Sequence, residues 1–303
     1  MTQLDLAGQL QLLREGAGAV RIERDVVRAT GDAVLEFLQG QVSQDIESLV
    51  VGRSAWSFVL QPQGKVDVWF RITRIAPTAF VLDTDAGWGQ ALIARLERFR
   101  LRTPVEFELL DWSAIAVRGV AAPAPLAPPD TDDGIVVPVE QVGWTGWDVL
   151  GPAPGISEGA TECSDEALEA LRIEAGIPRM GSEIDESTIP AEAGVVPISV
   201  SFTKGCYTGQ ELVARIDSRG SKTPRRLVGL VVEGSEPPVP GSSIKLDGSD
   251  VGRVTSVAPM GSHGGPVALA YLVRAVDTPA EASVTGATDL VRATALALPI
   301  AMA

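Results

Sequence analysis

From Thr223 onward the chain is written in short pieces. RRLVGLVVEG (225–234), SSIKLDG (242–248), VGRVTSV (251–257), VALAYLV (267–273) and ASVT (282–285) follow one another, broken by Gly, Pro and Asp. Apolar runs of this length, rich in β-branched residues and bounded by turn formers, read as strands. Regular short strands of this kind predict a small β-barrel or sandwich. They place a domain boundary near 222, with 1–222 forming one region and 223–303 a second.

The first region mixes periods. GDAVLEFLQGQVSQDI (31–46) starts helically, with Val34, Phe37 and Leu38 on one face and Gly40 placed to end the helix. AWSFVL (55–60), KVDVWFRIT (65–73), AFVLDT (79–84) and VEFELL (105–110) read as strands, the first two joined by the turn QPQG. GWGQALIARLERF (87–99) reads as an amphipathic helix with Ala91, Leu92, Leu96 and Phe99 inward. Residues 119–134 are rich in Pro and Ala and read as a surface loop, after which 134–152 resumes β structure. SDEALEALRIEAG (164–176) is a helix with Ser164 as N-cap, acids in its first turn and Gly176 past its end. Hairpins interleaved with helices predict an α+β class, with two α+β subdomains before the boundary.

Composition narrows the chemistry. Two cysteines and one histidine in 303 residues are too few for a structural zinc site or a self-contained iron–sulfur cluster, so no metal centre is expected. His263 sits in the glycine-rich turn GSHGGP, with no G-x-S-x-G elbow to accompany it. Cys163, just ahead of the Ser164 cap, carries no evident chemistry. The net charge of −14 disfavours nucleic acid and anionic lipid as partners. The best basic stretch, KTPRR (222–226), reads as a solvated strand entrance. No apolar run approaches the roughly 18–20 residues that cross a bilayer. The start, MTQLDLAGQLQLLREG, lacks the pattern of a signal peptide, so the expected compartment is the cytoplasm.

The other cysteine lies in KGCYTGQELVAR (204–215). SVSFT (199–203) alternates like a strand, and Thr208 with Glu211 fits a capping box. Cys206 is then expected in a strand-to-helix turn, at a positive helix end and two residues from Lys204, where thiolate is favoured over thiol. Gly205 and Gly209 allow a close approach of backbone and ligand. The competing reading is a small buried hydrophobe in a tight turn.

KGCYTGQELVAR resembles the signature of the YgfZ family, folate-binding proteins linked to iron–sulfur cluster metabolism and related to the glycine-cleavage T-protein, an aminomethyltransferase. FLQGQVSQDI, LQPQGKV, RIEAGIPRMGSEI and IPAEAG are similar to further family segments, so the resemblance covers most of 31–223. It implies a GcvT-like three-part folate-binding fold with a small C-terminal β-barrel. It also implies tetrahydrofolate or a one-carbon derivative as ligand. Glu192 resembles the carboxylate that holds the pterin, although taken alone it reads as a solvated loop acid. Lys204, Arg215 and the helix start around Tyr207, Gln210 and Glu211 would attract the carboxylates of the folate tail or position the Cys206 loop. One departure concerns catalysis. Where T-proteins carry paired aspartates, this chain has QGKVDVW, with Val68 at the second position and Asp67 beside it, which strand alternation turns to the opposite face.

The expectation drawn from the resemblance is a tetrahydrofolate-binding accessory protein for assembly or repair of iron–sulfur clusters in client enzymes, with Cys206 and Lys204 as its reactive pair. Its partners would be folate and iron–sulfur client or assembly proteins. The alternatives are a folate-dependent one-carbon enzyme of aminomethyltransferase type, and a binding module whose folate pocket has no chemical role.

Overall fold

The computed structural model describes residues 4–126, 131–220, 222–286 and 288–300. Residues 127–130 of the Pro/Ala-rich stretch lie outside them. The chain begins with helix α1 (Leu6–Glu15), strands β1 (Gly18–Ile22) and β2 (Arg24–Thr30), and helix α2 (Val34–Gln41). The hairpins β3 (Ser54–Leu60), β4 (Val66–Ala76) and β5 (Ala79–Asp85) precede α3 (Gly89–Arg100). Then come β6 (Glu106–Leu110), β7 (Ser113–Arg118), β8 (Ile135–Gln141), β9 (Trp144–Gly151), the short β10 (Thr161–Glu162) and α4 (Asp165–Ala175). After a 3-10 turn at Pro190–Glu192 come α5 (Val196–Ser199) and α6 (Gln210–Ser218). The remaining strands are β11 (Arg225–Val232), β12 (Ser243–Leu246), β13 (Ser249–Ala258), β14 (Val267–Val273), β15 (Ala280–Thr285) and β16 (Leu290–Leu296).

Two compact units emerge, each assembled from separated stretches of sequence. One comprises residues 1–22, 114–178 and 224–303. Among the described residues it holds a five-stranded sheet, β10-β1-β7-β9-β8, and a closed barrel, β11-β14-β13-β12-β15-β16. Of the two architectures open for the C-terminal strands, the barrel is the one adopted: β11 pairs with both β14 and β16, which closes the ring. Helix α4 follows its sequence signals, with the Ser164 hydroxyl accepting from Ala167 N and Gly176 left-handed at φ 74°. Leu168, Leu171 and Ile173 of α4 join Leu10 and Leu13 of α1 and Leu269 and Tyr271 of the barrel in one core, and Cys163 is buried in it. The basic stretch at 222–226 does enter a strand. Arg225 lies 4.2 Å over the Tyr271 ring and Arg226 donates to the carbonyls of Arg274 and Val276.

The other unit comprises residues 23–113 and 179–223, built on the sheet β3-β4-β5-β2-β6. One face packs α2 and α3 through Val34, Leu38, Leu92 and Leu96 onto Val27, Val68, Phe70 and Leu82. The opposite side carries Phe58, Leu60, Val66 and Trp69, which pack with Met180, Ile184, Ala193, Val195, Tyr207 and Val213. Helix α2 runs through Gly40 to Gln41, because the chain stays helical until Val42 N donates to Leu38 O. On α3, Ala91 and Phe99 are exposed and Arg95 takes the inner position with Leu92 and Leu96. A guanidinium is buried there because it is paired, as buried charges must be.

A second ionic group lies in the same sheet. The Asp83 carboxylate, fully buried, accepts from Arg71 Nε at 2.9 Å and Nη2 at 3.0 Å, and from Arg24 Nε at 3.0 Å and Nη2 at 2.7 Å. Arg24 also reaches Asp85 Oδ1 at 3.2 Å, and Asp85 Oδ2 accepts from Met180 N at 2.9 Å. Asp83→Ala leaves two guanidinium groups without their shared counter-charge. It is expected to cost about 3–5 kcal/mol of unfolding free energy in chemical denaturation, and a loss below about 1 kcal/mol would show the arginines to be solvated elsewhere.

Candidate functional site

The candidate residues that sequence reading selected all fall in the unit formed by 23–113 and 179–223. Their backbone differs from the expected strand-to-helix turn. Residues 196–199 form the short helix α5, which Pro197 opens, and 200–209 follow as irregular chain. The alternation of SVSFT comes from anchoring and not from a strand. Ser199 Oγ accepts from Trp69 Nε1 at 2.9 Å and Ser199 O accepts from Ser43 Oγ at 2.6 Å, while Phe202 and Thr203 are exposed.

The capping box does not form. Helix α6 starts at Gln210, with Gly209 before it at φ 81°, and Glu211 pairs with Arg215 on the exposed face. The left-handed turn is required by close approach: a Cβ at Gly209 would sit 2.6 Å from Gln61 O and 2.8 Å from Leu60 Cβ. Gln210 takes over the reach-back, its Oε1 accepting from Tyr207 N at 3.4 Å.

Lys204 does not serve the thiol with a hydrogen bond. Its Nζ donates to Gln39 O at 2.7 Å, Val42 O at 2.6 Å and Gln44 O at 2.9 Å, using all three N–H donors. Gln39 O belongs to the last turn of α2, where carbonyls lack helical partners and a cation is favoured. The Tyr207 ring lies 5.3 Å from the same ammonium. Burial draws the Lys204 ammonium down to about 8, and Asp45 and Glu47 act in the opposite direction. Cys206 is exposed, between Lys204 and a Tyr207 that is only 7% exposed. The reading of this thiol as a buried hydrophobe is thereby overturned.

Glu192 is 4% exposed and ends the 3-10 turn, with Oε2 accepting from Ile189 N at 3.4 Å. It is not the solvated loop acid that its sequence context alone suggests. The next residues, Ala193 and Val195, pack in the same cluster as Tyr207 and Trp69, so the PAEAG and KGCY segments share an apolar wall. The Tyr207 hydroxyl is buried against it without a hydrogen-bond partner, and burial pushes that phenol up to about 12.

Asp67 was expected on the face opposite Val68. The register of β3 and β4 shifts between Val59 and Leu60, so that Val59 pairs Val68 and Leu60 pairs Val66, leaving Asp67 as the extra residue of a bulge. Simple alternation fails there. Asp67 Oδ2 accepts from Arg95 Nε on α3 at 2.8 Å, and Val68 packs in the same α3 core. The carboxylate remains 25% exposed. Arg95, missed by sequence reading, also donates to Leu60 O at 2.8 Å. An arginine on a mostly apolar helix face, facing a strand with one acid, is the signal that could have found it.

In the other unit, Glu174 is also buried. Its Oε1 accepts from Ser262 N at 2.7 Å and Ser262 Oγ at 2.6 Å, and it pairs with Arg14. The adjoining His263 is exposed on its turn. Among the described residues, no three His, Cys, Asp or Glu side chains gather as a metal would need. No helix among them is long and apolar enough to cross a membrane. Because the Tyr207 hydroxyl is buried and unpaired, Tyr207→Phe is expected to raise unfolding free energy by about 1–2 kcal/mol. Denaturation of the two proteins side by side checks this, and a loss of stability would show that the hydroxyl has a partner.

Residues 225–300 match the family described as the glycine cleavage T-protein C-terminal barrel domain. An aminomethyltransferase of Streptomyces avermitilis is 26% identical over 292 residues, spanning 85% of this chain and 78% of its own. An uncharacterized protein of Haemophilus influenzae is 26% identical over 204 residues, 65% of this chain and 67% of its own. The crystal structure of the glycine cleavage system aminomethyltransferase T from Bartonella henselae superposes with a TM-score of 0.82 at 22% identity, covering 99% of this chain and 91% of that one. The chain has the fold of the glycine-cleavage aminomethyltransferases and carries that family's C-terminal barrel domain.

Proposed function

We propose that the protein is a cytoplasmic, tetrahydrofolate-binding accessory factor for the assembly or repair of iron–sulfur clusters in client enzymes, and that Cys206 is its working group. The observation that carries this reading is the placement of the thiol. Cys206 is exposed, while its neighbours on both sides are anchored, Lys204 by three hydrogen bonds and Tyr207 by burial. A thiol in that position meets another macromolecule without unfolding the loop. The KGCYTGQELVAR signature adds the resemblance to folate-binding proteins of iron–sulfur metabolism.

The residues present suit a pterin. A carboxylate accepts side by side from a ring N–H and an amino group, and Glu192 is a buried carboxylate next to an apolar wall that contains Tyr207 and Trp69. The unpaired Tyr207 hydroxyl is a polar atom that a ligand group or a water would satisfy. Arg215, in a surface pair with Glu211 on α6, and the open backbone at Gly205 are the groups left for the folate tail, since the Lys204 ammonium is occupied and Gly209 packs against the hairpin. Bound tetrahydrofolate supplies one-carbon chemistry. The chain's own residues bind it, orient it and present the thiol.

A second reading, a folate-dependent aminomethyltransferase, is favoured by the names of the relatives. It requires a carboxylate at the reactive folate nitrogen. Asp67 is tied to Arg95 on the α3 side of its sheet, and the neighbouring position holds the buried Val68.

Calorimetric titration with tetrahydrofolate should show saturable binding to the wild type and binding weakened about tenfold or more in Glu192→Ala, the loss of a charge-assisted pair. In cells, Cys206→Ser should lower the activity of iron–sulfur enzymes while leaving folate affinity unchanged. Unchanged client activity would leave a binding module, and glycine-dependent turnover by the purified protein would favour the transferase.

A further inference from the structure

We propose that Lys204 is a positioning residue, a cation that the chain carries itself, seated among the carbonyls of Gln39, Val42 and Gln44 under the Tyr207 ring to hold the Gly205–Cys206 apex in place. The inference requires no folate.

Three observations converge on it. First, the ammonium has no donor to spare, because the three carbonyls lie at 2.6–2.9 Å. A fourth side is covered by an aromatic face at 5.3 Å, a geometry that attracts cations. Carbonyls and an aromatic ring around one positive charge form a cage for a primary ammonium, and a neutral amine has only two N–H donors for the three acceptors. Second, the cage is built from the end of a helix, so the partial negative charge of α2 offsets the field that Lys204 could project toward a thiolate. Asp45 and Glu47 are the acids that act on the ammonium, and they draw its field away further. Third, the segment before Lys204 is stitched to the same loop by Ser201 N to Ser43 O at 3.0 Å and Gln44 Nε2 to Ile198 O at 3.2 Å. Lys204 is the last of these ties before the exposed apex.

The cage makes Lys204 replaceable by a free ammonium ion. Chymotrypsin reports on the loop through cleavage after Tyr207, which is protected while that ring is buried; every protein compared carries Phe202→Ser, because the exposed Phe202 of the same loop is itself a chymotrypsin site. Lys204→Ala is expected to be cleaved there about tenfold faster or more, since a local opening becomes easier. Ethylammonium should restore protection, and tetramethylammonium at equal ionic strength should not, because it has no N–H to donate. The pH dependence of Cys206 alkylation should keep its midpoint. The proposal is overturned if cleavage stays at the wild-type rate while the thiol midpoint rises, which would make Lys204 an electrostatic partner of the thiol. It is equally overturned if both ammonium ions rescue alike, which would make the effect one of ionic screening. Should Lys204→Ala fail to fold, refolding in each salt decides: recovery in ethylammonium alone supports the cage, and no difference between the salts overturns it.

Discussion

The ammonium of Lys204 on the carbonyls that close α2 is the contact on which the candidate site depends. It joins residues about 160 positions apart, 204 to 39, 42 and 44. The carbonyls at the end of a helix need partners, and here a side chain from a distant loop supplies them. The arrangement serves both parties. The helix end gains a cation, and a loop with little secondary structure of its own gains a fixed height above the sheet. Tyr207 fixes the other side by burial and Gly209 by its close approach to the hairpin at Leu60 and Gln61. The exposed Gly205–Cys206 apex is thus held between two anchored residues, Lys204 and Tyr207.

The same economy governs the buried charges of this unit. An acidic chain has carboxylates enough to pair its arginines at the surface. Instead Arg71 and Arg95 are buried, each against a carboxylate of the same sheet. Pairing of this kind contributes little net stability compared with an apolar core, but removal of one partner is costly. Its effect is to specify. The Asp67–Arg95 pair commits the one acid of the VDVWF segment to α3, and the bulge at Asp67 allows it.

How much of this was readable in the residues varied with the range of the interaction. The Ser164 cap and the Gly176 stop are local, and they formed where local physics put them, whereas the alternation read in β4 breaks at the Asp67 bulge and gives way to burial on both faces. The C-terminal strands announced a barrel or sandwich through length and turn chemistry alone, and closure between β11 and β16 decided between them. The failures at the candidate site were tertiary. Ser199 alternates with its neighbours because Trp69 and Ser43 claim it, so a false strand resulted. Thr208 and Glu211 have the spacing of a capping box, yet Gly209 must turn left-handed against the hairpin and the box cannot assemble. The positive charge of Lys204 was visible beside Cys206, but three carbonyls distant in sequence use it. Arg95 was passed over because no local rule places a guanidinium on an inner helix face.

The threading of the two units sets an order of birth. The unit that contains Cys206 needs residues 23–113 and 179–223 and nothing later. The other unit holds its first segment, 1–22, and its second, 114–178, in waiting until residues 224–300 have been made, because α4 packs against barrel strands β13 and β14 and the backbone of Glu174 receives the amide of Ile300. On the ribosome the thiol-bearing unit can therefore be finished and anchored while α1 and α4 still expose the apolar faces meant for the barrel. Those two helices keep apolar surface open until strands made after residue 224 cover it.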